Sequence, residues 1–203
     1  MIDVANDKQF QLVRWCDKQG REILKSIAVY DRALKHCFWW EVVWNEASGK
    51  RLAWCLVNPA VEDAEAGHCL PMSRTAARMR NLMKTRASCG GFVAVNLHSC
   101  PAPRPGQITR REDSEWAKNE LFLRHIAASH DEIVCAWGVE VPVLYVHRVL
   151  SLFQGNTLLR PSSSQLGIAN HPSRLPGDTR LVKCEDAMWT GDRVVPGLRI
   201  PAR

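Results

Sequence analysis

Three short apolar runs, Leu52 to Val57, Phe92 to Leu97 and Ile133 to Trp137, are separated by longer stretches whose apolar residues recur at helical spacing. Parallel strands need a crossover of a dozen or more residues between them, and a helix is the usual crossover. Helices then cover the sheet on both faces, so its strands read as continuous apolar runs. The expected fold is therefore α/β, a three-layer α/β/α sandwich with a central, mostly parallel sheet. A chain of 203 residues, 46% hydrophobic and 24% charged, can build such a core as a single domain.

The flanking elements follow from finer patterns. Residues 1–30 place Phe10, Val13, Leu24 and Ile27 at helical spacing, which predicts a peripheral helical segment interrupted near Gly20. Cys37 to Trp44 is aromatic and β-branched, and with Leu52 to Val57 it predicts a hairpin across Glu46 to Lys50. Ser73 can cap a helix over Arg74 to Arg86, with Ala76, Met79 and Met83 on one side. Thr109-Arg-Arg-Glu112 matches a capping box for a helix reaching about Ser129, with Trp116, Leu123 and Ala127 inward. A further helix is expected over Pro142 to Phe153, then extended pieces at Leu158-Leu159 and Gln165 to Ile168. The core is expected over residues 36–176, with residues 177–203 as a C-terminal extension.

No apolar run is long enough to cross a bilayer, and the first residues lack the apolar centre of a signal peptide, so a cytoplasmic protein is expected. The eight cysteines have no short repeated spacing and include no Cys-x-x-Cys pair; His36-Cys37 and His68-Cys69 come nearest to a ligand pair. Reduced thiols, no metal and no cofactor are the expectation. A net charge of +6 points to a polyanionic partner, DNA or a nucleotide, because cations meeting phosphates release condensed counterions. The oligomeric state is not legible.

Polar or small residues end the predicted strands: Asn58-Pro59 after Val57, Asn96 within Val93-Ala-Val-Asn-Leu97, Gly138 after Cys135-Ala-Trp137, and later the loop Asn170-His171-Pro172-Ser173. In open α/β sheets the ligand sits beyond these carboxyl ends. The four elements, in this order, resemble the uracil-DNA glycosylase superfamily, whose mismatch-specific branch carries Asn-Pro in its first motif. A narrower resemblance is to a bacterial and phage domain family of unknown function. Its Leu-Asn-Pro-Ser-Thr-Ala-Asp signature parallels Val57-Asn-Pro-Ala-Val-Glu-Asp63 here. Its Val-Asn-Leu, Ala-Trp-Gly and His-Pro elements parallel Val95-Asn-Leu97, Ala136-Trp-Gly138 and His171-Pro172. The sequence departs from that family over Ala64 to Pro71, and from true glycosylases in having Leu56-Val57 where they place Gly.

The resemblance implies a glycosylase-like fold and a pocket for a pyrimidine. Cleaving the N-glycosidic bond puts negative charge on the departing base, and His171, neutral and donating one N–H, suits that oxygen. The Asn96 amide offers one donor and one acceptor to the imide edge of a flipped uracil or thymine, with Pro59 and Trp137 walling the base. Asn58 can orient water but is no strong general base, so Asp63 or Glu62 would have to supply a carboxylate. Ser173 and Arg174 would hold flanking phosphates, supported by Arg74, Arg78, Arg80, Lys84 and Arg86. A thiol nucleophile, Cys100 beside His98, is a minor alternative. Three readings stay open: a glycosylase-like hydrolase, a base-modifying transferase of phage DNA hypermodification, and a non-catalytic nucleic-acid or nucleotide binder.

Overall fold

The computed structural model describes residues 7–19, 22–59, 74–83, 86, 88–102, 115–138, 141, 143–162, 171–172, 175 and 179–184. Eight strands lie among them: β1 (Phe10–Gln19), β2 (Glu22–Asp31), β3 (Cys37–Val43), β4 (Lys50–Leu56), β5 (Cys89–Asn96), β6 (Glu132–Cys135), β7 (Thr157–Pro161) and β8 (Leu181–Lys183). The helices are α1 (Arg74–Met83), α2 (Trp116–Ser129) and α3 (Val143–Leu152). All eight strands form one mixed sheet in the order β1-β2-β3-β5-β4-β6-β7-β8.

The expectation of a mostly parallel sheet is corrected. Only the pairings β4/β5, β4/β6 and β6/β7 are parallel, against four antiparallel ones, β1/β2, β2/β3, β3/β5 and β7/β8. The reason lies in the connections. Helical crossovers join β4, β5, β6 and β7, and strands added outside that group run antiparallel.

The N-terminal helical segment is also corrected. β1 and β2 are an antiparallel pair in continuous register from Phe10↔Asp31 to Gln19↔Glu22. Period-two burial explains it: Phe10 and Leu12 pack on one face of the sheet and Val13 on the other, while Val29 and its neighbours Ala28 and Tyr30 divide in the same way. The expected β3/β4 hairpin does not form either, because β5 lies between them. Gly90 and Gly91 permit this close approach. Trp44 N–H and Asn45 N–H both donate to the Gly90 carbonyl at 2.9 Å. A Cβ on Gly90 would overlap the Asn45 carbonyl oxygen and Ser48 Oγ.

Each face of the sheet has its own apolar cluster. Val93, Val95, Ala53, Cys55, Ile133 and Cys135 pack against Phe122, Leu123 and Ile126 of α2 and Val146 and Val149 of α3. Phe92, Ala94, Leu52, Trp54, Leu56 and Val134 pack against Ala76, Met79, Leu82 and Met83 of α1. β5 is buried along its whole length. The inward residues expected of α1 are buried as read, and Leu123 is likewise buried, with Trp116 and Ala127 packing against its cluster. The capping-box residues and Gln165 to Ile168 lie outside the described residues.

Candidate functional site

β4, β5 and β6 run parallel and in register, with Leu56 beside Asn96 and Cys55 beside Cys135, so their carboxyl ends reach one edge of the sheet. The ladder continues past the strands. Leu97 N–H donates to the Leu56 carbonyl at 2.8 Å, His98 N–H to Val57 at 3.0 Å, and Ala136 N–H to Cys55 at 2.9 Å. From β4 the chain moves to β5 on one side and later returns to β6 on the other. Such a reversal is where open α/β sheets form a binding crevice.

Asn96 closes β5 with 5% of its surface exposed. Its backbone carbonyl accepts from Asn119 Nδ2 at 3.0 Å, and Asn119 also reaches the Leu97 carbonyl at 3.4 Å. The Asn96 side-chain amide makes no hydrogen bond among the described residues. Neither polar atom of that amide is among the fully buried unpartnered ones, so the amide keeps contact with solvent at the strand end. Strand alternation puts it on the α1 face, since Val95 and Leu97 belong to the opposite cluster.

Asn58 follows β4 and is half-buried, beside buried Pro59. Its Nδ2 donates to the Pro59 carbonyl at 2.7 Å and to the Ala102 carbonyl at 3.0 Å, tying the end of β4 to the chain that follows β5. This fixes the amide orientation and leaves Oδ1 as its open acceptor. Gly138 follows β6 with φ +86°, a left-handed conformation that glycine adopts without strain. A Cβ on it would lie 3.6 Å from His171 Cβ, so the end of β6 and residue 171 abut. Leu175 folds back to the Pro172 carbonyl and is buried in the α1-face cluster.

The family described as "Protein of unknown function (DUF1643)" matches residues 38–173. This chain belongs to the DUF1643 family. The matched span is about two thirds of the chain and contains Asn58, Asn96, Gly138 and His171. Among curated proteins and among solved structures nothing matches.

The remaining residues of this DUF1643 chain divide by their surroundings. Trp137 is 1% exposed within the α2/α3-face cluster, so its ring serves core packing on the side opposite Asn96. Asp63, Glu62, Lys84, Ser173 and Arg174 lie outside the described residues. Arg74 is exposed on the first turn of α1 and Arg78 half-buried one turn on. Arg80 lies over the Trp44 ring at 5.8 Å, and Arg86 pairs with Glu132 at 2.9 Å, so two of the expected phosphate contacts have structural roles.

The thiol alternative places Cys100 directly after the strand end, in backbone contact with His98. Cys100 N–H donates to His98 Nδ1 at 3.2 Å, but Cys100 Sγ is directed to the Pro101 carbonyl at 3.6 Å. Burial pushes the Cys55 and Cys135 thiols well above their ordinary range and Cys184 up to about 12, so all three stay protonated. Among the described residues no cluster of His, Cys, Asp or Glu could hold a metal. No helix among them is long and apolar enough to cross a membrane. A groove of about 430 Å³ is lined by Leu82, Arg86, Arg180 and Leu181, and none of the strand-end polar residues contributes to it.

Sequence reasoning missed Asn119, which is completely buried on α2. One signal was available: an Asn midway between Trp116 and Leu123 interrupts the apolar face of a helix, where an amide is costly unless bonded.

Proposed function

We propose that this chain recognises a pyrimidine base of DNA beyond the carboxyl ends of β4, β5 and β6, and acts on that base or its N-glycosidic bond as a glycosylase-like enzyme. The observation that carries the reading is Asn96: a nearly buried amide, unbonded at its side chain and anchored through its carbonyl by Asn119. Such an amide complements the imide edge of uracil or thymine with one donor and one acceptor.

In this reading Asn58 holds a water through Oδ1, its Nδ2 being committed to Pro59 and Ala102. His171, beside Gly138, donates to the base oxygen as charge develops there. Arg74 and Arg78, with Arg174 and Ser173, meet the flanking phosphates of an extruded nucleotide. The glycosylase-like three-layer arrangement belongs to the same proposal, supported by helices on both faces of the four parallel strands.

One observation favours a second reading. The group at the end of β4 is an amide, which cannot remove a proton from water, so a base-modifying transferase or a non-catalytic binder would use the same pocket without a hydrolytic step. The deciding experiment is base release from uracil-containing, mismatched and modified DNA by wild type, Asn58→Ala and His171→Ala. Release that falls at least roughly a hundredfold in His171→Ala supports the hydrolase. Salt-dependent DNA binding without release supports the second reading, and absence of both DNA and nucleotide binding refutes the pocket.

A further inference from the structure

The antiparallel ladder between β3 and β5 opens beside Asn96. From Val43↔Gly91 to Trp40↔Ala94 the two strands keep one register, and Trp44 N–H donates to the Gly90 carbonyl in the same register. Hydrogen-bonded pairs recur at every second residue of such a ladder, so the next would be Phe38 with Asn96. The pairing stops at Trp40 instead. Beyond it Cys37 N–H donates to the Ser99 carbonyl at 2.9 Å, two positions out of register, so Val95 to His98 oppose only Phe38 and Trp39. β3 is irregular at the same point: Val29↔Trp39 is followed by Tyr30↔Cys37, which leaves Phe38 as an extra residue against β2.

Aromatic packing holds the opening. Phe38 stacks on Phe122 of α2 at 5.5 Å and meets Phe10 edge-on at 5.7 Å, all three buried in the α2/α3-face cluster. Phe122 lies one turn along α2 from Asn119, so this contact seats Asn119 over the gap. Asn119 Nδ2 takes the place that Phe38 N–H would have in an unbroken ladder, donating to the Asn96 carbonyl at 3.0 Å and the Leu97 carbonyl at 3.4 Å. Both acceptors are carbonyls, so the amide orientation is fixed by chemistry. Asn119 Oδ1 is then fully buried with no hydrogen-bond partner among the described residues. A half-satisfied buried amide costs stability, and local costs of this kind gather at functional positions.

We propose that Asn119 is a positioning residue, which plugs the gap between β3 and β5 and thereby aims the Asn96 amide at the base. Extra residues in a ladder bend the strand and re-aim a side chain, which is why bulges recur beside binding sites. Asn119 acts from the α2/α3 face on the main chain of Asn96, whose amide lies on the α1 face. The inference rests on the reading of Asn96 as the group that meets a pyrimidine.

The test is a double-mutant cycle of Asn119→Leu and Asn96→Ala in the full chain, read as binding of matched single-stranded oligonucleotides that carry one uracil or one abasic site. Leucine keeps the side-chain volume and removes the donor. Asn119→Leu loses at least roughly fivefold in affinity for the uracil strand and almost nothing for the abasic one. In the Asn96→Ala background the same substitution changes neither, because Asn119 acts only through Asn96. Should Asn119→Leu unfold, Asn119→Asp serves instead, since its buried carboxyl donates an O–H only while protonated. Relative to wild type, that variant keeps the uracil preference at low pH and loses it as pH rises. The inference alone is overturned if wild type prefers the uracil strand and Asn119→Leu keeps that preference or weakens both strands alike. It is equally overturned if Asn119→Leu unfolds and the preference of Asn119→Asp follows wild type at every pH. A wild type that binds both strands equally overturns the pyrimidine reading together with it.

Discussion

Asn119 donates from Nδ2 to the backbone carbonyl of Asn96 at 3.0 Å, so a buried side chain of α2 holds the last residue of β5 by its main chain and leaves its amide free. Asn119→Ala removes the donor to two carbonyls and opens a cavity. A loss of about 2 to 4 kcal/mol is expected, read as a lower urea midpoint at unchanged slope. An unchanged midpoint would mean that Asn119 does not hold the strand end.

Gly90→Ala tests how β5 fits between β3 and β4. Its Cβ would collide with the Asn45 carbonyl oxygen, which belongs to backbone, so the strand must shift. A loss of about 3 kcal/mol or more is expected in thermal or urea melts. Gly49→Ala is the contrast, with φ +62° but nothing within 4 Å of its Cβ, and should cost only about 1 kcal/mol. Equal costs would show that β5 does not need the close approach.

The β5 insertion also marks where the sequence was readable. The apolar runs that became β4, β5 and β6 were plain, because a strand buried on both faces needs nearly every residue apolar. The N-terminal pair was not, since Phe10, Val13, Leu24 and Ile27 satisfy a helical spacing while the chain folds with period two. The β3/β4 hairpin was misread because a short turn argues for local pairing, whereas Gly90 and Gly91 admit a distant strand. At the site, the strand-end positions of Asn58 and Asn96 could be read from sequence. The commitment of Asn58 Nδ2 to Ala102 and the grip of Asn119 could not, because both join residues more than twenty positions apart.

Stability should fall in alkali through Cys184. Its folded value, about 12, is above the ordinary 9.0, so the thiol contributes stability that is complete below pH 9.0 and is lost as pH rises toward 12. Urea midpoints measured from pH 8 upward should decline less steeply in Cys184→Ala than in wild type. Identical slopes would remove Cys184 from the account. In the same preparation, buried Cys55 and Cys135 should resist alkylation until the chain unfolds.

Arg74 and Arg78, one turn apart on α1, carry the electrostatic part of the DNA proposal. Replacing either with Gln should weaken DNA binding to a similar degree across sequences and reduce the log–log salt slope by about 1. A slope unchanged in both variants would place the DNA elsewhere.

The most direct measurement is the binding of uracil- or thymine-containing oligonucleotides to wild type and Asn96→Ala, compared with oligonucleotides lacking the base. Asn96→Ala should lose at least roughly tenfold in affinity for the base-containing strand and almost none for the abasic one, since its amide touches only the base. Equal affinity of wild type and Asn96→Ala for both strands would contradict the account.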